Sequence, residues 1–558
     1  MQSQNSRTPP YLDAPATDLF YNLQVSARRY PAKPGLIYYD TPIAFAEIHD
    51  QAQRIAGYLA QRCGVRKGDR VLLYMQNSPQ FVISYYGILR ANAVVVPLNP
   101  MYLTHEFLAC AKDAGTATAI VSQELYPRVE PLLDSGDLEQ VIVAAYSDYL
   151  REPTTLTVPD FIAAPRVELS RPGVARWREA LASGMAAGPL SVGPDDLCVM
   201  PYTSGTTGQP KACMHTHRTT MHTLVASMRW FSVPPEWTLL AVAPFFHVTG
   251  MQGSMNGPLY NGNTMVLLPR WDRVAAVECV QRYRIASWTA VPTMIQDFFM
   301  NPDLERYDLS SMRRLCGGGA AMPAAVAQRL QQRGITYYEG YGLSETMAAS
   351  HLNPLECAKL QCLGIPIYGV DSRVVDPGTG VELPAGELGE IVTHGPQVFL
   401  GYWNKPDDSA QAFIEIDGKR FLRTGDLGRV DEDGYFFMVD RLKRMINASG
   451  FKVWPSEVES LMYQHPAVLE ACVIGASDPH RGETVKALVV LRPDWKGRIE
   501  AAAIIDWCRG NMAAFKIPRI VEFIDALPRS GSGKIQWREL QERERRAEAQ
   551  RDAVGNPS

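Results

Sequence analysis

Residues 202–211 read Tyr-Thr-Ser-Gly-Thr-Thr-Gly-Gln-Pro-Lys. After Tyr202 come four hydroxyl residues (Thr203, Ser204, Thr206, Thr207), two glycines (Gly205, Gly208) and Lys211. Glycines let backbone N–H groups approach and wrap an anion. Hydroxyls add donors, and the lysine adds a mobile positive charge. This is the chemistry of a loop that grips a polyphosphate. A Walker-type loop is excluded, because that pattern needs Gly-Lys-[Ser/Thr], whereas Pro210 precedes Lys211 and Ala212 follows it. On composition alone such runs are more often polar turns between strands.

The bulk of the chain bounds the possibilities. With 558 residues it is too long for one hydrophobic core, so at least two domains are expected. A formal charge of −4 gives no general pull toward nucleic acid. The ten cysteines show no CxxC pair and no zinc-like His spacing, which favours reduced thiols in a cytoplasm. His215 and His217 form an alternating pair whose nearness to the glycine-rich run is read as incidental. No apolar run reaches the ~18 residues that span a membrane. Met1–Ala14 is polar and proline-rich and lacks the apolar core of a signal peptide. The expected location is cytoplasmic, and peripheral membrane contact and a homodimer stay open.

Hydrophobic periodicity predicts an α/β protein. A helix over Phe45–Cys63, a strand over Asp69–Met75, a helix over Phe81–Ala91 and a buried run Ala93–Pro97 alternate as in a parallel sheet with covering helices. A second such set runs from Thr238 to Leu268 and through Ala275–Tyr283 into Ser287–Val291. Residues 149–195 are proline-rich and read as a surface excursion. Between Gly364 and Asp440, short strands punctuated by Gly/Asp/Pro turns predict a small β-barrel or distorted sheet. Beyond Asp440 the rhythm becomes helix Ser456–Gln464, strands Val468–Gly475 and Lys486–Arg492, and helix Ile499–Asn511. The expected organisation is a large N-terminal domain, 1–440, of two α/β subdomains plus the small barrel. A smaller mobile α+β domain, 441–558, follows. The tail from Gln541 reads as a frayed helix ending in disorder.

Five further segments carry chemistry. Leu315-Cys-Gly-Gly-Gly-Ala320 either lets a flat ring lie on bare backbone or makes a tight strand–helix turn. Tyr337–Thr346 contains Gly342-Leu-Ser344, but a hydrolase elbow would need glycine where Thr346 stands. In Arg423-Thr-Gly-Asp-Leu427, Asp426 could accept from two vicinal hydroxyls. Asp440–Val453 is a charged run that also suits a solvated linker. Pro528-Arg-Ser-Gly-Ser-Gly-Lys534 sets a lysine on a Gly/Ser loop.

Taken in order, these segments resemble the adenylate-forming superfamily, in particular its acyl-CoA synthetases, over about Asp18–Leu540. The resemblance implies ATP, Mg²⁺ and coenzyme A as cofactors or substrates and a small carboxylic acid as partner. It implies that Thr203–Gly208 and Lys211 hold phosphates, and that Gly318, Gly319 and Ala320 contact adenine. Tyr341, with Gly342, would stack on the same ring. Ser344, where the family usually has Thr, would touch the α-phosphate, and Glu345 would hold Mg²⁺. Asp426 would clamp ribose, and Arg441 would contact ribose or phosphate. Lys443 would be a hinge pivot, and Ser449, Gly450 and Phe451 would line the pantetheine tunnel. Lys534 would bridge carboxylate and α-phosphate, an electrostatic role that gains strength away from water. His247 in Pro244-Phe-Phe-His247, with Gly250, resembles the acyl-site gate; a base is not required, because the nucleophile is already ionised. Arg481 resembles a CoA-contacting arginine and equally suits a surface salt bridge.

The implied function is ATP-dependent acid:CoA ligation through acyl-AMP, with a medium- or long-chain fatty acid as the expected substrate. An aryl-acid ligase and an acyl-AMP donor to a separate carrier protein are the alternatives. A non-enzymatic acyl-nucleotide sensor is disfavoured by the joint presence of Lys211, Glu345, Asp426 and Lys534. Near the acyl segments, Trp288, Met294, Phe298, Phe299 and Met300 form an apolar stripe that fits core as well as pocket.

Overall fold

Arg70-Val-Leu-Leu-Tyr74 forms a strand with apolar side chains on both faces. Val71 and Leu73 enter one hydrophobic cluster, and Leu72 and Tyr74 enter another. A strand buried on both faces belongs inside a helix-covered parallel sheet. The computed structural model describes residues 11–204, 210–318, 322, 324–448, 451–478, 482–529 and 535–554.

This strand sits in a seven-stranded sheet of order His215–Thr216, Leu197–Val199, Val94–Pro97, Arg70–Tyr74, Thr118–Ser122, Gln140–Ala144, Val174–Arg176. All its pairs are parallel except that of the edge strand His215–Thr216. The covering helices Phe45–Gln61 and Pro79–Arg90 match the sequence expectation. They pack so closely that a Cβ on Gly87 would lie 2.8 Å from Ile55 Cγ2. Ser78 caps the second helix by accepting from the Phe81 amide at 3.1 Å. The proline-rich excursion does more than cross the surface: it supplies the edge strand Val174–Arg176 and the helix Trp177–Ala182, whose Trp177 is buried.

A nine-stranded sheet carries the second set, in the order Ile365–Pro366, Ala348–Leu352, Thr336–Leu343, Arg314–Gly318, Ile285–Thr289, Thr238–Ala241, Thr264–Leu267, Pro34–Tyr38, Thr41–Ala44. The six strands from Thr336–Leu343 to Pro34–Tyr38 are mutually parallel, so their carboxyl ends share one edge. That edge is where open α/β sheets bind ligands.

The turn-rich stretch forms a five-stranded sheet in which Phe436–Arg441 branches from Lys419–Val430. The last sheet pairs Phe451–Val453, Ile446–Ala448, Gly482–Leu491 and Val468–Asp478, with Ile520–Phe523 added parallel to Gly482–Leu491. Helices Pro455–Met462 and Ala501–Asn511 and the tail helix Trp537–Val554 complete this region. By packing, the chain divides into one unit of Met1–Ser372 with Thr393–Leu422 and another of Arg373–Val392 with Arg423–Ser558. Among the described residues no helix is long and apolar enough to cross a membrane.

Candidate active site

The hydroxyl-rich run is built as a hairpin. Tyr202–Ser204 pairs antiparallel with Pro210–Ala212, with Thr203 opposite Lys211. Gly205, Thr206, Thr207 and Gly208 lie outside the described residues. The chain then pairs with a second segment: Trp403 N donates to Ala212 O at 2.9 Å, and Met214 exchanges bonds of 3.0 Å with Leu400 and Gly401. This pairing brings Lys211 beside Tyr402. The Lys211 side chain is buried, its ammonium forms an ion pair with Asp408, and it lies 5.4 Å from the Tyr402 ring centroid. Tyr402 in turn donates its hydroxyl to Glu345 Oε1 at 2.6 Å. The main-chain oxygen of Glu345 accepts from Phe399 N at 2.9 Å, and Phe399 packs edge-on against Tyr402 at 4.8 Å. The lysine and the carboxylate singled out from sequence therefore meet at one tyrosine, the first over its ring and the second at its hydroxyl.

Ser344 begins the short turn Ser344–Thr346. Its main-chain oxygen is held by His215 Nε2 at 2.7 Å, and His215 Nδ1 lies 3.1 Å from Thr219 Oγ1. A carbonyl can only accept, so Nε2 carries the proton. Burial lowers the His215 pKa to about 4, which leaves Nδ1 unprotonated and facing the Thr219 hydroxyl, whose proton Thr216 O also accepts at 3.0 Å. His217 is used elsewhere, its Nδ1 accepting from Leu19 N at 3.1 Å.

The glycines of the neighbouring strands have a packing cause. A Cβ on Gly318 would lie 2.1 Å from Gly340 O, and one on Gly342 would lie 1.7 Å from Ala348 O. Both strands must therefore be bare where they cross their neighbours, whatever else lies on them. Gly319 and Ala320 lie outside the described residues. Tyr341 is nearly buried, its ring 5.5 Å from that of His351. Two positions before it, burial pushes the Glu339 carboxyl up to about 7, partly offset by the Met322 amide.

His247 caps the turn Val248–Gly250, its Nδ1 accepting from Thr249 N at 3.3 Å. A π-helical segment, Met251–Asn256, follows; such turns are rare and frequent at functional sites. Its two amides are committed inward. Gln252 Nε2 donates to Thr220 O and Thr223 Oγ1, and Asn256 Oδ1 accepts from Tyr86 Oη at 3.0 Å. The apolar stripe divides. Trp288, Phe298 and Phe299 are buried core, with Trp288 edge-on to Phe298 at 5.0 Å, whereas Met300 is 69% exposed.

In the second unit, Asp426 is fully buried and pairs with Arg441 Nε at 2.9 Å, the two residues standing opposite each other in the strand register. A buried carboxylate needs such a cation. Lys443 is exposed, on the short turn Leu442–Arg444. Phe451 begins a strand, with its backbone paired to Ala448. Ser449, Gly450, Arg481 and Lys534 lie outside the described residues.

Sequence reasoning passed over Tyr402, Asp408 and His215 as functional neighbours. The signal for Tyr402 was the glycine before it: Gly401 has φ +148°, and a Cβ there would lie 2.9 Å from Ser409 Oγ. Among the described residues no group of three or more His, Cys, Asp or Glu could hold a metal. A single carboxylate such as Glu345 nevertheless suits Mg²⁺, which is commonly bound by one or two carboxylates together with substrate phosphates.

Comparison with known proteins places this geometry. The AMP-binding enzyme family matches residues 23–403, and the AMP-binding enzyme C-terminal domain matches residues 457–534. The chain belongs to this adenylate-forming, AMP-binding enzyme family, in its acyl-CoA synthetase branch. It is 34% identical over 549 residues to a long-chain-fatty-acid–CoA ligase of Bacillus subtilis, covering 96% of each chain. It is also 34% identical over 521 residues to a feruloyl-CoA synthase of Amycolatopsis, covering 93% of this chain and 97% of the relative. The solved structure of ATP-bound MatB from Rhodopseudomonas palustris matches with a TM-score of 0.82 at 28% identity, over 95% of this chain and 99% of the other.

Proposed function

We propose that this chain is an ATP-dependent ligase that joins a medium- or long-chain fatty acid to CoA through acyl-AMP. The observation that carries the adenylation chemistry is that Lys211 and Glu345 both contact Tyr402, one over its ring and one at its hydroxyl. The acyl class is supported by the fatty-acid ligase relative and by the segments Met251–Asn256 and Trp288–Pro292, which contain no charged residue. The feruloyl-CoA synthase relative, of equal identity, supports an aryl acid as the second reading.

The substrate carboxylate attacks the α-phosphorus of ATP, the α–β bridging bond breaks, and pyrophosphate leaves. Lys534 bridges carboxylate and α-phosphate, Lys211 and the 203–208 run hold phosphate oxygens, and Ser344 donates to the α-phosphate. Gly318, Gly319, Ala320, Tyr341 and Gly342 take the adenine. Asp426 and Arg441 take the ribose. Glu345 would hold Mg²⁺, which supplies neutralisation of phosphate charge when bound. In the second step the CoA thiolate attacks the acyl carbon and AMP leaves. Ser449, Gly450 and Phe451 line the pantetheine path, Arg481 meets CoA, and His247 gates the acyl site. Lys443 pivots the 441–558 domain between the two steps, a role that rests on the family motif. The ten thiols, all outside disulfides, support work in a reducing cytoplasm.

The test is pyrophosphate release across saturated fatty acids, cinnamates, dicarboxylates and amino acids, with and without CoA. Fatty acids should release pyrophosphate and give thioester only when CoA is present. Each added CH₂ should add about 0.8 kcal/mol of transition-state binding, read as a rise in kcat/KM, until the pocket ends. Best activity on an amino acid or dicarboxylate would overturn the acyl assignment.

A further inference from the structure

We propose that Asp408 is a positioning residue that competes with nucleotide phosphate for the ammonium of Lys211. The proposal rests on the assignment of Lys211 to phosphate binding and adds a resident anion to that site.

The Lys211 side chain is 8% exposed, and its ammonium faces the Asp408 carboxylate and the ring of Tyr402. A buried ammonium is costly without an anionic partner, and Asp408 supplies that partner and aims the side chain. The two partners differ in what they can do next. Tyr402 is committed, because its hydroxyl donates to Glu345 at 2.6 Å and its backbone is paired beside Ala212–Met214. Asp408 is 32% exposed at the side chain and can turn to water when its cation leaves. An incoming phosphate can therefore take the ammonium without dismantling the core around it.

The position of Asp408 is fixed by its neighbour. Ser409 Oγ accepts from Tyr402 N at 2.9 Å and donates to Lys405 O at 2.7 Å, tying the turn after Tyr402 to the helix Pro406–Gln411. The carboxylate is thus built into the same frame as the lysine. A fixed negative charge at this place opposes polyanion binding by holding the lysine. Its service is at the other end of the adenylation step. When pyrophosphate departs, Asp408 recovers the ammonium and keeps the product from lingering.

The experiment measures ATP and pyrophosphate affinity of the full chain by calorimetry, with Mg²⁺ present and no acid. Asp408→Asn should bind both about three- to fivefold more tightly, the size expected of a partly exposed charge pair. Asp408→Glu should restore wild-type affinity. In a Lys211→Ala background, Asp408→Asn should change affinity by less than about twofold, because the contested cation is gone. A role confined to folding predicts the reverse: unchanged or weaker binding, a lower Tm, and the same effect in both backgrounds. Asp408→Ser, smaller and still polar, serves if the Asn variant does not fold. Wild-type binding with unchanged or weaker binding in a folded Asp408 variant overturns the competition alone. A wild-type chain that does not bind ATP overturns the ATP assignment and the competition together.

Discussion

His215 holds the main-chain oxygen of Ser344 through Nε2 at 2.7 Å, from a fully buried edge strand next to the lysine-bearing hairpin. The bond fixes the turn that carries Ser344 and Glu345. Removing the donor by His215→Phe leaves the Ser344 carbonyl only its longer bond from Met347 N, at 3.3 Å, which should cost about 1 kcal/mol. Urea denaturation at neutral pH measures this. The folded pKa of about 4 lies below the ordinary value of 6.5, so the unfolded chain binds more protons between them. The stability contributed by this histidine is present above 6.5 and falls as pH drops toward 4. The variant should lose part of that acid sensitivity; an unchanged acid slope would remove His215 from it.

Glu339 works with the opposite sign. Burial raises its folded pKa to about 7 from an ordinary 4.5, so the folded chain binds the extra proton between those values. Stability should therefore fall as pH rises through that window. Glu339→Gln keeps the shape and removes the titration. Comparing urea midpoints near about pH 5 and about pH 8, the alkaline loss should be smaller in the variant than in the wild type. Equal losses would mean that this carboxyl is already ionised in the folded protein.

What was legible from sequence follows the range of each signal. Helix Phe45–Gln61 and strand Arg70–Tyr74 were readable because periodicity and flanking turns are local. Strand Val174–Arg176 was missed because three residues carry too little periodicity, and pairing with Gln140–Ala144 makes the strand. Lys211 and Glu345 were legible because their chemistry is written in short motifs. Asp408 was not, because an aspartate after proline at a helix start reads as ordinary first-turn acid. Only the pairing of residues 400–403 with 212–214 makes it a partner of the lysine. The glycines at 318 and 342 were read for ligand access, whereas the neighbouring carbonyls supply a separate reason for them.

Glu345→Gln tests the metal assignment. The amide keeps the shape and can still accept from Tyr402 at the position of Oε1, so folding should be preserved. It removes the charge that a hard cation prefers. Half-saturating Mg²⁺ in pyrophosphate release should rise by about tenfold or more, as expected when a strong oxygen ligand is weakened. Chelation should abolish release in both proteins, with excess Mg²⁺ restoring it. An unchanged Mg²⁺ dependence, with normal circular dichroism, removes Glu345 from the metal.

Gly342→Ala separates packing from ligand access at the strand that carries Tyr341. The new Cβ would stand 1.7 Å from Ala348 O and 2.4 Å from Ala348 C, both backbone atoms of the antiparallel neighbour. Backbone cannot rotate away as a side chain can, so the two strands must part. The expected loss is at or above the upper end of about 1–3 kcal/mol seen for overpacking. Gly334→Ala is a useful control of different cause: a Cβ there meets nothing within 4 Å, and only the φ of +69° resists it. That substitution should cost about 1 kcal/mol, the size of an unfavourable left-handed backbone angle. Tm and urea midpoints rank the two. If Gly342→Ala retains full stability and loses only ATP affinity, the bare backbone serves the ligand and the clash with Ala348 is relieved by strand movement. Loss of stability without bound nucleotide is the outcome the strand geometry requires.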